Sequence, residues 1–126
     1  MKPDTVSGMG LNLESLPLNV NQGSFGREVF FYQRSGLVMF WPPYSIACHK
    51  EALMLREIAL KRPRSLKVVK VNCEVEKELT RKYRVHELPG HILFQNGKEM
   101  RRTSGEKNRE EIETWLDQNS SMEIAV

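Results

Sequence analysis

Three residues of this chain are candidates for covalent chemistry: Ser45, Cys48 and Cys73. The first two open the helical stretch of "FWPPYSIACHKEALMLREIA", just after an apolar run and a Pro42-Pro43 corner. A thiol in the first turn of a helix faces unpaired backbone N–H groups and the positive end of the helix dipole, and both favour the thiolate. Two thiols separated by two residues there would exchange disulfides, one attacking and the other resolving. In this chain the place where a second Cys would complete Cys-x-x-Cys is held by Ser45, whose hydroxyl ionises far above neutrality and is a very poor nucleophile for sulfur. Serine is also a favoured helix N-cap, and that is the preferred reading of Ser45. His49 follows Cys48 directly, so on a helix their side chains diverge by about 100° and a Cys-His catalytic pair is not expected. No Asp-His pair supports a serine hydrolase. The three His and two Cys lack metal-ligand spacing, so neither metal nor cofactor is expected.

The elements that must position these residues can be read from apolar periodicity. Residues 1–14 carry Gly, Ser, Asn and Pro without periodicity and read as a flexible arm. A short strand is expected over 16–20. Phe25, Val29, Phe30 and Tyr32 then fall at helical spacing, with Gly36 as the stop. "LVMFW" (Leu37 to Trp41) is a continuous apolar run of strand length, suited to a central strand buried on both faces. From Ala47 to about Leu60 the pattern predicts an amphipathic helix with Ala47, Leu53 or Met54, Ile58 and Leu60 inward. Lys50, Glu51, Arg56 and Glu57 lie on its polar side. Residues 65–72 read as a β-branched strand, and 74–85 as a helix with Val75, Leu79 and Tyr83 on one face. "HILFQNGKEMRRTSG" is a hairpin around Asn96-Gly97. A last helix carries Ile112, Trp115 and Leu116 inward, followed by a loose tail over 120–126. The predicted order is β-α-β-α-β-α-β-β-α, an α/β fold with a central mixed sheet flanked by helices. The domain spans 15–119.

Composition narrows the function classes. A length of 126 residues suits one domain with one continuous core. Net charge is +3, and the basic residues are scattered among acids (Lys61, Arg62 and Arg64; Arg101 and Arg102), so a nucleic-acid partner is not expected. No apolar run approaches the ~20 residues of a membrane span. The first 15 residues lack an apolar segment of the kind that directs secretion. Two Cys do not make a disulfide framework, so a reducing cytoplasm is the expectation; a monomer is expected as well.

From about Leu16 to Gln118 the chain resembles the thioredoxin family. The resemblance rests on "LVMFW" before the motif, "SIAC" at the helix start, "VVKVN", "RVHELPG", "ILFQNGKEM" and the glycine of "TSG", Gly105. It implies a thioredoxin-like fold in which Pro89 is cis and faces the "SIAC" helix. It implies that Trp41 and Tyr44 flank the site, that Cys48 is the resolving thiol, and that Lys70 keeps the family's lysine. It further implies that Met39 stands where the family has a buried Asp. Two parts of a dithiol cycle, the first Cys and that acid, are thus replaced. Gly90 stands where the family often has Thr, which would widen the groove beside Pro89. The Ser-x-x-Cys motif, with a second Cys in "KVNCEVE", is similar to the thioredoxin domain of the chaperone-like chaperedoxins. Their helical-repeat extension has no counterpart within these residues.

The resemblance implies a thiol redox protein that binds partner proteins or peptides, through Leu88 and Pro89 with Trp41, Tyr44, Cys73 and Gly105 around them. It would form mixed disulfides rather than run normal dithiol turnover. The alternative is a true protein-disulfide reductase, either with Ser45 replacing its attacking Cys, by nature or by engineering, or with a Cys48–Cys73 pair. Cys73 itself reads either as a thiol bordering the same groove as Cys48 or as an apolar filler.

Overall fold

The computed structural model describes residues 18–62 and 66–125, the side chains of 119–125 excepted. The expected arm over 1–14 lies outside the described residues, as do the first two positions of the expected first strand. The described elements are β1 (Leu18–Asn19), α1 (Gln22–Phe25), which continues as a π-helical segment (Gly26–Phe30), β2 (Ser35–Trp41), α2 (Ile46–Lys61), β3 (Lys67–Asn72), α3 (Lys77–Lys82), β4 (Gly90–Gln95), β5 (Lys98–Ser104) and α4 (Arg109–Ala125). The five strands form one sheet in the order β1-β3-β2-β4-β5. β1, β3 and β2 run parallel, while β4 is antiparallel to β2 and β5 to β4. This is the predicted mixed sheet with helices.

The apolar run of β2 explains its central place. Every residue from Gly36 to Trp41 is buried. Alternation sends Leu37, Met39 and Trp41 to one face, against Cys48, Ala52, Leu55 and Ile58 of α2 and Ile112 and Leu116 of α4. Val38 and Phe40 go to the other face, with Phe25, Val29, Val69, Val71, Leu79 and Phe94. The two faces thus carry separate apolar clusters, and the side on which a residue packs decides what it can reach.

Four expectations need correction. Gly36 does not stop a helix. It lies inside β2, paired with Lys67 and Phe94. The preceding helix closes at Phe30, where the Phe31 N–H reaches the Gly26 carbonyl at 2.8 Å, a π-type bond that ends the helical register. Phe30 is therefore exposed rather than inward. Val75 is exposed as well, because the Asn72 side chain accepts from the N–H groups of Glu74 and Val75 and bends the chain before α3 begins at Lys77. Of the two alternatives on α2, Met54 packs against the core and Leu53 points to solvent, which is a choice between them and not a correction. Finally, α4 continues through 120–125, which read as a loose tail, because neither Gly nor Pro interrupts its backbone.

The β4–β5 hairpin turns on Asn96 and Gly97, both at positive φ (52° and 81°). Gly97 has a second constraint: a Cβ there would stand 2.1 Å from the Phe30 carbonyl oxygen. Gly97→Ala is expected to lower unfolding free energy by about 1–3 kcal/mol, read as a lower denaturant midpoint at unchanged slope.

Candidate functional site

At the C-terminal end of β2 the chain passes Pro42 and Pro43 and enters α2 with Ser45 as N-cap. Ser45 has extended backbone angles (φ −91°, ψ 116°), and its Oγ accepts from the Cys48 N–H at 3.1 Å. The hydroxyl thus serves as the cap of this helix. Cys48 lies below it, 1% exposed, in the apolar cluster with Met39, Trp41 and Leu55. Burial pushes the Cys48 thiol up in pKa, the Ser45 hydroxyl opposes this, and the carboxylates of Glu51 and Glu106 add to the rise.

Cys73 occupies a different place. Its N–H extends the β3–β2 ladder to the Trp41 carbonyl at 3.0 Å. Its side chain packs with Tyr83 and Val85 against the Phe25–Phe94 cluster. Cys48 belongs to the cluster on the other face of the sheet. Of the two readings left open for Cys73, its packing is that of an apolar filler: strand alternation carries it to the cluster of Val69 and Val71. Both cysteines are free. Cys73 is the less buried, and its thiol too is pushed up by burial, with the nearby Cys48 and Glu74 adding to the shift. Because both thiols are held above the ordinary value, each is expected to react with a disulfide reagent at neutral pH more slowly than free cysteine. Cys48 should be the slower, as timed reagent labelling with peptide mapping will read.

The aromatic and proline residues frame this end of the sheet. Trp41 is buried, 4% exposed, so it is a core aromatic here. The His49 ring meets it edge-on at 4.5 Å between centroids, and Lys70 Nζ lies 4.5 Å from its centroid on the other strand. His49 Nε2 also lies 2.9 Å from the Pro43 carbonyl, so its imidazole is turned to the Pro-Pro corner rather than to Cys48. Burial lowers the Lys70 ammonium. Tyr44 and Ile46 are exposed (74% and 73%), and Leu88 is exposed at the start of a cis Leu88–Pro89 bond. Gly105, at φ 88°, donates its N–H to the Pro89 carbonyl at 2.9 Å. Gly90 does not widen this groove. A Cβ there would approach Val85 Cγ1 to 2.8 Å and the Glu87 carbonyl to 3.3 Å, so its missing side chain lets the Val85–Glu87 segment close on β4.

One buried polar pair escaped the sequence reading. Glu51 and His91 are both buried, at 5% and 0% exposure, and Glu51 Oε2 is hydrogen-bonded to His91 Nε2. Glu51 Oε1 accepts from the Lys107 N–H at 3.3 Å. Glu51 had been placed on the polar side of its helix, yet it lies one turn from Cys48, on the buried face. His91 is paired with Met39 across the sheet, and Met39 is paired with Lys70 on the next strand. Met39 therefore separates two titratable residues in one cross-strand row. A helical-wheel check against Cys48, Leu55 and Ile58 would have exposed Glu51. Nothing local could have named His91 as its partner.

Comparison with known proteins gives a consistent picture. A family model described as Thioredoxin matches residues 17–118. A thioredoxin of Mycobacterium tuberculosis is 31% identical over 96 residues, covering 76% of this chain and 83% of that protein. A thioredoxin of Rickettsia bellii is 28% identical over 101 residues, covering 80% of this chain and 96% of its own. One from Griffithsia pacifica is 35% identical over 77 residues, covering 61% and 71% respectively. No helix among the described residues is long and apolar enough to cross a membrane.

Proposed function

We propose, since the chain belongs to the thioredoxin family, that it acts in thiol redox homeostasis as a partner-binding member without normal dithiol turnover. The observation that carries this reading is Ser45: its hydroxyl sits where the attacking thiol would sit and caps the helix above a buried Cys48. No group at that position can open a partner disulfide. The partner surface is intact in kind. Tyr44, Ile46 and Leu88 are exposed apolar residues around the cis Pro89, and an extended peptide can pair with the backbone of Leu88 as an added strand. Gly105, bonded to the Pro89 carbonyl, holds the neighbouring turn in place. Cys48 forms the mixed disulfide when the helix start yields to a bound partner. Its thiolate attacks one sulfur of the partner disulfide, the other sulfur leaves as a thiolate, and solvent protonates it. Cytoplasmic residence with protein partners is part of the same reading.

The rival reading, a reductase using Cys48 and Cys73 as its pair, is disfavoured by their packing into separate apolar clusters. The deciding experiment is reduction of insulin with dithiothreitol as electron donor, run beside titration of a disulfide-bearing peptide. The expected result is no acceleration of insulin reduction above the dithiothreitol background, together with saturable peptide binding that Pro89→Ala weakens. Many turnovers per chain would overturn the proposal in favour of the reductase.

A further inference from the structure

We propose that the cleft at the C-terminal ends of β1, β3 and β2 is a binding site for a small monocarboxylic acid with an apolar or aromatic body, whose carboxylate is held by Lys70. The carboxyl ends of parallel strands are where α/β sheets form ligand sites, because the chain opens there into loops that can carry varied side chains. Asn19, Trp41 and Asn72, the last residues of the three strands, line a cleft of about 460 Å³ together with Lys70. That volume lies in the range of small-molecule sites. None of Ser45, Cys48, Leu88 and Pro89 lines it, so it is separate from the groove beside the cis proline.

Lys70 is a half-buried cation without a counter-ion. Its Nζ lies over the Trp41 ring, 4.5 Å from the centroid, and no carboxylate among the described residues forms an ion pair with it. Lys67, on the same strand, is by contrast paired with Glu28. An aromatic face replaces only part of an ammonium's hydration, and burial lowers the pKa of Lys70 accordingly. A carboxylate in the cleft would offset that cost. Neutral donors stand beside it. Asn21 Oδ1 accepts from the Ser24 N–H, and Asn72 Oδ1 from the N–H groups of Glu74 and Val75. Each carbonyl oxygen is thus engaged, and each side-chain NH2 is left to donate. The remaining lining sets the ligand class. Val20, Val75 and the Trp41 ring offer apolar surface for the body of an acid. Glu76 is the only carboxylate in this lining among the described residues, and its Oε1 accepts from the Gln22 N–H at 3.1 Å rather than pairing with Lys70. It would repel a second negative charge, so a monocarboxylate fits better than a phosphate dianion. His49 also reaches the cleft, but its Nε2 is engaged by the Pro43 carbonyl.

Titration of the intact chain with phenylacetate, followed through the Trp41 indole N–H resonance in nitrogen–proton correlation spectra, tests this; Trp115→Phe identifies the resonance. Saturation at millimolar concentration or below is expected. The uncharged counterpart 2-phenylethanol and the dianion phenyl phosphate should each bind about tenfold more weakly. Lys70→Met keeps the apolar stem, removes the charge, and should weaken phenylacetate about tenfold or more. Glu76→Gln keeps an acceptor for the Gln22 N–H and removes the repulsion. It should tighten phenylacetate and narrow the gap to phenyl phosphate, and it keeps the test open if Lys70→Met does not fold. Absence of saturation by phenylacetate overturns the proposal. So do equal affinities for phenylacetate and 2-phenylethanol, an unchanged affinity in Lys70→Met, or affinities in Glu76→Gln identical to those of the parent. Phenyl phosphate binding as tightly as phenylacetate would overturn the monocarboxylate class.

Discussion

Ser45→Cys is expected to turn this chain into a protein-disulfide reductase, raising dithiothreitol-driven insulin reduction on the order of a hundredfold or more above the parent, which stays at background. The site already presents what a thiolate at that position needs. Residue 45 sits at the N-cap of a 16-residue helix, and the Cys48 N–H already points at its side chain from 3.1 Å. A sulfur anion there would accept that bond and meet the positive end of the dipole. Cys48 then lies one turn below as the resolving thiol, in the place where the mixed disulfide must be attacked. Ser45→Ala supplies the control. It should leave turnover at background and cost about 1 kcal/mol of stability through the lost cap. A Ser45→Cys protein that stays inert would mean that the apolar Met39 and the buried setting of Cys48 have removed redox catalysis independently of the nucleophile.

The second large effect concerns stability. His91→Leu should lower the unfolding free energy by about 3–5 kcal/mol, because it leaves the buried Glu51 carboxyl facing hydrocarbon on one side. The double change Glu51→Leu with His91→Leu should recover most of that loss, since an apolar pair of suitable volume suits a cluster built from Leu37, Leu55, Leu93 and Ile112. Denaturant melts of the parent, both single variants and the double variant close the thermodynamic cycle. Additive losses across the cycle would mean that the two residues are stabilised separately and that their contact contributes little.

Much of the frame was legible because it depends on local pattern. The apolar run of β2 indicated a strand buried on both faces, and Asn96-Gly97 indicated a hairpin. The order of elements followed from the alternation of strand and helix signals. Ser45 was readable as a cap because capping is a property of one residue and its helix. What the pattern missed depends on contacts distant in sequence. Glu51 looks like an ordinary polar residue until His91, forty positions away, is packed against it. Cys73 looked like a neighbour of Cys48 because both lie near the same end of the sheet. Only the alternation of Val69, Val71 and Cys73, set against the face covered by α2, shows that the two pack into different apolar clusters. The helix before β2 was misjudged for a different reason: its apolar spacing is helical, but a wider π turn changed which residues point inward.

The edges of the sheet carry a consequence for how copies of this chain meet. A border strand with unpaired backbone groups can recruit a strand from another molecule, and charged side chains along it oppose such stacking. One border here, β1, is two residues long among the described residues. The other, β5, reads Lys-Glu-Met-Arg-Arg-Thr-Ser, with Lys98, Glu99, Arg101 and Arg102 spread along it. Neither is a good template for self-recruitment. On the proposed reading of the Pro89 groove, self-association through these edges should compete little with a peptide for that site, even in concentrated solution.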